Sequence, residues 1–282
     1  MLMWFDRNRQ ARQLLAMGIS TVIIFTLMTF KMNILAPPPG VSGKFWMSIL
    51  FSLAQNYLDI RLASRSTVMQ VWKKEVQRLN QAGNHSKIWP NVLQLTEALK
   101  RQPTKKWDKE SHHIQTLTNR FEALIDQFGP VLDCTEGYDD IVLFEELDWA
   151  LELEGPSDLT AFLVSVICAR VYYYRLKNNL FSPHLQNAIV MDEAGELFNV
   201  AREHHQDSVE YILSKSILPR ARALGIGFIC CSQEYDCLSR SLRANCDTQI
   251  LVGGSLGRGE DTEAFARSNG LTREQLEFLM EI

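Results

Sequence analysis

Apolar positions in this chain fall into two patterns, short unbroken runs and longer stretches at helical spacing. Ala188-Ile189-Val190-Met191 is an unbroken run, and Asp192 and Glu193 follow it at once. Such a run cannot alternate between a wet and a dry face. It predicts a central strand covered on both sides, as in a parallel sheet. A second run, Ile226-Gly227-Phe228-Ile229-Cys230-Cys231-Ser232, ends in Gln233. A third, Thr248 to Val252, is closed by Gly253-Gly254. Between the first two, Val209 to Ala223 carries Tyr211, Ile212, Ile217 and Leu218 as a helix would, and the chain breaks at Gly225. Strand, helix, strand, short helix, strand predicts an α/β fold with a mostly parallel sheet and right-handed crossovers.

The middle of the chain reads mainly as helix. Trp46 to Asp59 and Val68 to Leu79 repeat apolar residues at helical spacing, and Gly83-Asn84-His85 breaks the pattern. Trp89-Pro90-Asn91 opens a helix to Leu99, with Pro90 in its first turn. Arg101 to Glu110 is polar and lysine-rich, a loop, and Ile114 to Phe128 a further amphipathic helix. Asp140-Ile141-Val142-Leu143-Phe144 predicts the strand that returns the chain to the sheet. Asp158 to Leu176 predicts the long helix before the acid-tipped strand. Near the start, Leu14 to Phe30 carries no charge and has Arg7, Arg9 and Arg12 before it and Lys31 after it. Positive flanks fit a membrane anchor, but the length is at the short limit of a span. The β-branched cluster Thr21-Val22-Ile23-Ile24 suits a strand.

Two carboxylates at the carboxyl end of a central strand lie where open α/β sheets bind ligands. In a P-loop protein one such acid holds Mg²⁺ and the next orients or activates the attacking water. The same residues could be a solvated strand end.

The runs around these acids carry a resemblance. Ala188, Asp192-Glu193-Ala194, then Leu218-Pro219-Arg220-Ala221-Arg222-Ala223-Leu224-Gly225-Ile226-Gly227, Cys231-Ser232-Gln233 and Asn245 before the Thr248 run resemble the HerA–FtsK superfamily. Phe30-Lys31-Met32-Asn33-Ile34-Leu35, then Pro37-Pro38-Pro39-Gly40-Val41 and Trp46, is similar to that family's "NPL…PPPGV…W" segment. The resemblance implies a RecA-like P-loop ATPase core, in residues 1–45 and 139–282, with a mainly helical insertion over 46–138. It implies ATP and Mg²⁺ as cofactors and a homo-hexameric ring. It implies work on DNA in conjugation, secretion or defence, with secretion or defence proteins as further partners. It puts the chain in the cytoplasm, reaching a membrane only through partners. Carried over residue by residue, Asp192 matches the Mg²⁺-coordinating acid and Glu193 the catalytic glutamate. Gln233 matches the polar γ-phosphate sensor, and Arg222 the arginine finger inserted by a neighbouring subunit. Gln233 as a strand cap, and Arg222 or Arg220 as a helix-end cation, are the competing readings.

The sequence departs from the family at the phosphate loop. No stretch matches G-x-x-x-x-G-K-[ST]. Pro38-Pro39-Gly40-Val41-Ser42-Gly43-Lys44-Phe45 comes nearest, but lacks the first glycine and ends in Phe. Its prolines remove backbone donors, so this loop reads as structural. In the family's order the phosphate loop precedes a strand resembling Leu2-Met3-Trp4-Phe5-Asp6-Arg7, similar to "vvvfDpkgd". The chain is therefore expected to be a fragment, and an ATPase-like scaffold without catalysis is the alternative to a motor subunit.

Charge and composition add limits. The net charge of −4 leaves no overall basic footprint for nucleic acid. None of the 6 cysteines forms a C-x-x-C pair, which favours reduced thiols. The adjacent pairs His112-His113 and His204-His205 point in different directions on a helix and make poor zinc pairs. Tyr172-Tyr173-Tyr174-Arg175 could stack on single-stranded bases, but on a helix the better reading packs rings inward. Arg240 and Arg243 share a face of a short helix, as subunit contacts or extra phosphate sensors.

Overall fold

The computed structural model describes residues 1–18, 22–57, 62–81, 88–102, 109–132, 140–155, 157–198, 213, 216–250 and 259–281. Five strands form one sheet: β1 (Leu2–Asp6), β2 (Ile23–Thr26), β3 (Trp149–Glu152), β4 (Ser182–Met191) and β5 (Leu224–Cys230). Their order is β2-β3-β1-β4-β5, and every pair is parallel. Parallel neighbours need crossovers, and helices supply them. The α/β class with a mostly parallel sheet is therefore the observed architecture.

Between β1 and β2 runs α1 (Ala11–Ala16). Between β2 and β3 come α2 (Gly43–Tyr57), α3 (Leu62–Asn80), α4 (Val92–Lys100) and α5 (Lys109–Leu132). Between β3 and β4 lies α6 (Ser157–Lys177). The expected helices thus form, with small shifts of their ends. Pro90 is an exception: Asn91 caps α4 in a reciprocal box with Gln94, so Pro90 stands outside the helix. The Gly83–His85 break and most of the Arg101–Glu110 loop lie outside the described residues, as do His204 and His205. So does most of the Val209–Ala223 helix, of which α8 (Leu218–Ala221) remains.

Alternating side chains sort the sheet into two faces. Met3, Phe5, Phe25, Trp149, Leu151, Ile189, Met191 and Ile226 share the main core with α2 to α6. Trp149, fully buried, meets the rings of Phe5, Phe25 and Phe30 at 5.9, 6.2 and 5.4 Å. On the opposite face Trp4, Val22, Ile24 and Ala150 pack under Ala11 of α1. Ile23–Thr26 being a strand, the uncharged stretch Leu14–Phe30 is no continuous helix. Among the described residues one helix is long and apolar enough to cross a membrane, Leu159–Lys177 within α6, and 89% of it is buried. It is the spine of the core. Tyr172, Tyr173 and Tyr174 are all buried in it, so they offer no open stacking platform.

Two expected strands fall elsewhere. Asp140–Phe144 is not extended; Val142–Glu146 forms a π-helical turn, with Leu147 N–H donating to the Val142 carbonyl. The strand begins at Trp149, whose indole donates to the Leu143 carbonyl at 2.8 Å and so holds the turn against it. Thr248–Ile250 is not strand and Ile250 is 81% exposed; Leu251 and Val252 lie outside the described residues.

The Pro38–Phe45 segment has a structural part. It lies beside the carboxyl end of α6, where Asn178 donates to the Pro39 carbonyl at 2.8 Å and Phe45 packs edge-on to Tyr173. A Cβ on Gly43 would come within 2.6 Å of Trp89, which stacks on Trp72, so only glycine lets α2 start there.

One buried ion pair ties these layers together. The Arg170 guanidinium of α6 grips both oxygens of Asp140, with Nη2 to Oδ2 at 2.8 Å, and also donates to the Ala36 carbonyl. Both side chains are nearly fully buried. Removing one partner strands the other's charge. Asp140→Ala is expected to lower the unfolding free energy by about 3–5 kcal/mol in urea titration. A loss below ~1 kcal/mol would show that the carbonyls alone satisfy the guanidinium.

Candidate functional site

The chemistry-bearing residues gather at the carboxyl edge of the sheet. Asp192 directly follows β4, and its N–H donates to the Phe5 carbonyl at 3.1 Å, so the sheet ladder extends one step to it. Glu193 then turns left-handed, at φ 55° and ψ 48°. A non-glycine residue in that conformation is uncommon and stores strain, and such residues cluster at functional sites. The turn ends the strand and starts α7 (Ala194–Leu197). It is locked from β5: Ala194 N–H donates to Cys231 at 2.7 Å, and Cys231 N–H to Met191 at 2.9 Å. Gly195 permits the close approach, because a Cβ there would sit 2.6 Å from Cys237 Sγ.

Each carboxylate of the pair is held by a neutral amide from the strand beside it. Gln233, just past β5, donates from Nε2 to Glu193 Oε1. Asn8, just past β1, donates from Nδ2 to Asp192 Oδ2 at 2.9 Å. The structure therefore brings three of the expected site residues together, Asp192, Glu193 and Gln233. It adds Asn8, which no sequence pattern singles out, since an Asn after a strand is an ordinary turn residue. Gln233 sits at the start of the loop after β5. Its loop is anchored by Tyr235, which packs edge-on to Phe265 and donates to Gln249 at 3.2 Å.

Arg222 stands elsewhere. It precedes β5, at the end opposite Gln233, and the seven residues of that strand span about 23 Å at ~3.3 Å per residue. Its side chain is 91% exposed and lies 3.6 Å from Asp247, also exposed. Arg243, on α9 (Arg240–Asn245), faces Asp236 at 3.6 Å and covers the Tyr235 ring at 4.9 Å.

The arginines at this rim are occupied by other acids. Arg7 donates to the Gly155 carbonyl at 3.1 Å and lies 3.6 Å from Glu196. Arg9 meets Glu154, and Arg12 holds both oxygens of buried Glu152, one at 2.7 Å. Among the described residues no ion pair reaches Asp192 or Glu193. Two carboxylates with hard oxygen donors, oriented and without a cationic partner among the described residues, fit a divalent ion such as Mg²⁺. The Pro38–Phe45 segment is at the far end of α6, a helix of 21 residues spanning about 31 Å at ~1.5 Å per residue, and so is no phosphate cradle for these acids.

Cys231 borders the acid pair. Burial pushes its thiol up, and the negative charges of Asp192 and Glu193 push it further. Glu152 moves the other way: the Arg12 hydrogen bonds and charge hold its carboxyl below the ordinary glutamate value, against the cost of burial.

No protein-family model matches this sequence, and no curated protein matches it. Solved structures do. VirB4 of Thermoanaerobacter pseudethanolicus superposes with a TM-score of 0.68 at 14% identity, over 99% of this chain and 75% of that one. The bacterial conjugative coupling protein TrwB, solved with sulphate, gives 0.58 at 14% identity, over 95% and 73%. The plasmid coupling protein TrwB in complex with ADP and Mg²⁺ gives 0.57 at 14% identity, over 95% and 74%. At such identity the likeness shows a common fold, the RecA-like α/β arrangement.

Two measurements check the electrostatics. Because the folded carboxyl of Glu152 titrates below its unfolded value, its stabilisation is present above the unfolded pKa and fades as pH falls through the folded one. The stability gap between wild type and Glu152→Gln is expected at neutral pH and should close on acidification below the normal carboxylate range. A gap independent of pH would mean that packing, and not charge, supports β3 at this rim. Glu193→Gln removes one of the charges facing Cys231. Alkylation of Cys231 by iodoacetamide, followed by mass spectrometry at pH 8, should quicken a few-fold in that variant. Equal rates would place Glu193 too far away to act on the thiol.

Proposed function

We propose that this chain is part of an ATP-hydrolysing motor subunit of a conjugation or type IV secretion apparatus, with Asp192 and Glu193 as its Walker B acids. The observation that carries the reading is the oriented acid pair at the carboxyl edge of an all-parallel sheet, free of ion-pair partners among the described residues. The fold shared with VirB4 and with TrwB, the latter solved with ADP and Mg²⁺, supports it. So does the resemblance to HerA–FtsK ATPases. In this reading residues 1–45 and 139–282 form the ATPase core and 46–138 a helical insertion. The intact protein works as a homo-hexameric ring on DNA, together with secretion or defence proteins, in the cytoplasm.

Asp192 would hold the Mg²⁺ that accompanies ATP. When bound, the ion neutralises charge on the phosphate oxygens. Glu193, its carboxylate steadied by Gln233, accepts a hydrogen bond from the attacking water and takes its proton. Gln233 also reports the γ-phosphate, since its amide can donate to a phosphate oxygen once Glu193 turns to water. Arg222 is exposed and on another flank of the sheet from the acids of its own subunit. That suits a finger offered to the next subunit in a ring, where a guanidinium stabilises the charge of the transferring phosphoryl group.

A second reading keeps the fold and drops the chemistry. No G-x-x-x-x-G-K-[ST] stretch occurs in this sequence, and its nearest approach, Pro38–Phe45, is occupied with helix packing. Without a phosphate loop from elsewhere the chain serves as an ATPase-like scaffold.

Fluorescent ADP binding and phosphate release separate the two. In the motor reading the chain joined to a G-x-x-x-x-G-K-[ST] phosphate loop binds nucleotide with Mg²⁺, and Glu193→Gln in that protein keeps binding while turnover drops by about 10²-fold or more. Normal turnover in Glu193→Gln would remove that residue from the mechanism. A loop-restored protein that neither binds nor hydrolyses nucleotide supports the scaffold.

A further inference from the structure

The loop after β1 is built to aim one side chain. Asp6, the last residue of β1, is fully buried, and its carboxylate accepts three backbone N–H groups: Asn8 at 3.2 Å, Gln10 at 2.9 Å and Ala11 at 2.7 Å. The turn they enclose contains Arg9 in the left-handed region, at φ 55°. Its three cations, Arg7, Arg9 and Arg12, leave toward Gly155 and Glu196, Glu154, and Glu152. The neutral side chain, Asn8, is the one that reaches Asp192. Its amide nitrogen must face that carboxylate, because the amide oxygen would oppose one acceptor with another.

We propose that Asn8 is a positioning residue for divalent-cation binding: it fixes one oxygen of Asp192 and leaves the other open to the ion, with the charge of the carboxylate not cancelled. The proposal rests on the reading of Asp192 as the cation-holding acid. The chemistry favours an amide over the nearby cations. A guanidinium on Asp192 would orient it as well but would neutralise it and repel a metal ion. An amide orients without neutralising, the usual part of groups behind metal-bound carboxylates, whose loss costs about 10–100-fold in metal affinity. Gln233 holds Glu193 by the same kind of bond, so the two acids are splayed toward opposite neighbours across the left-handed turn.

The test uses the full chain and Mn²⁺ as the probe, with free Mn²⁺ read by electron paramagnetic resonance in the presence of ADP. Asn8→Ala and the nearly isosteric Asn8→Leu should each weaken Mn²⁺ binding about ten-fold. Their melting temperatures should match wild type, because the Asp6 bonds to the backbone survive both changes. Asn8→Lys, which restores a donor but brings a charge, should weaken binding at least as much. Asp192→Asn should abolish it. If Asn8→Ala and Asn8→Leu bind Mn²⁺ as wild type does while Asp192→Asn does not bind, the inference about Asn8 fails and Asp192 keeps its role. Recovery of binding in Asn8→Lys would likewise overturn it, because any donor would then serve. If wild type binds no Mn²⁺, or Asp192→Asn binds it normally, the reading of Asp192 falls and takes this inference with it.

Discussion

The Asp6 carboxylate is the constraint on which the rim of the sheet depends. A buried carboxylate is tolerated only when its oxygens are satisfied, and here three backbone N–H groups of one loop satisfy them. The geometry of that loop follows. It starts α1 at Ala11, which closes the smaller face of the sheet over Trp4 and Val22. It also sends Arg12 to Glu152 at the end of β3 and Asn8 to Asp192 at the end of β4. One buried acid thus sets the positions of groups on both flanking strands.

The rim also separates its charges. Acids with a structural part, Glu152, Glu154 and Glu196, take the arginines. Asp192 and Glu193 receive amides instead. A carboxylate paired with guanidinium is spent, whereas one held by an amide keeps its charge for a ligand. Among the described residues, this division leaves the acid pair its charge, independent of any motif.

The strands whose apolar runs were uninterrupted, β4 and β5, were legible, and so were the amphipathic helices α2, α3 and α5 and the long apolar helix α6. The β-branched cluster likewise marked β2. Trp149–Glu152 was missed because its residues mix a tryptophan with an acid. Glu152 is buried only because Arg12 arrives from a distant part of the chain, which no local pattern records. Asp140–Phe144 is as apolar as a strand, yet Trp149 holds it in a π-turn. Of the candidate site, the acid pair could be read from its place after an apolar run, and Gln233 from the family resemblance. Asn8 could not, since its partner is 184 residues away. The buried tyrosines of α6 followed the helix reading, and not the stacking alternative.

The sheet order has a consequence for how the protein is made. β1 lies between β3 and β4, so its first pairing partner is Trp149–Glu152 and its second is Ser182–Met191. Leu2 bonds to Asp148, 146 residues on, and the terminal amine to Gln186, 185 residues on. At ~5–20 residues per second of synthesis, the first strand waits about 7–30 s as an unpaired apolar segment outside the ribosome. Met3 and Phe5, the heart of the finished core, spend that interval in water or in the grip of a chaperone. β1 is thus the strand whose sheet partners lie farthest from it along the chain.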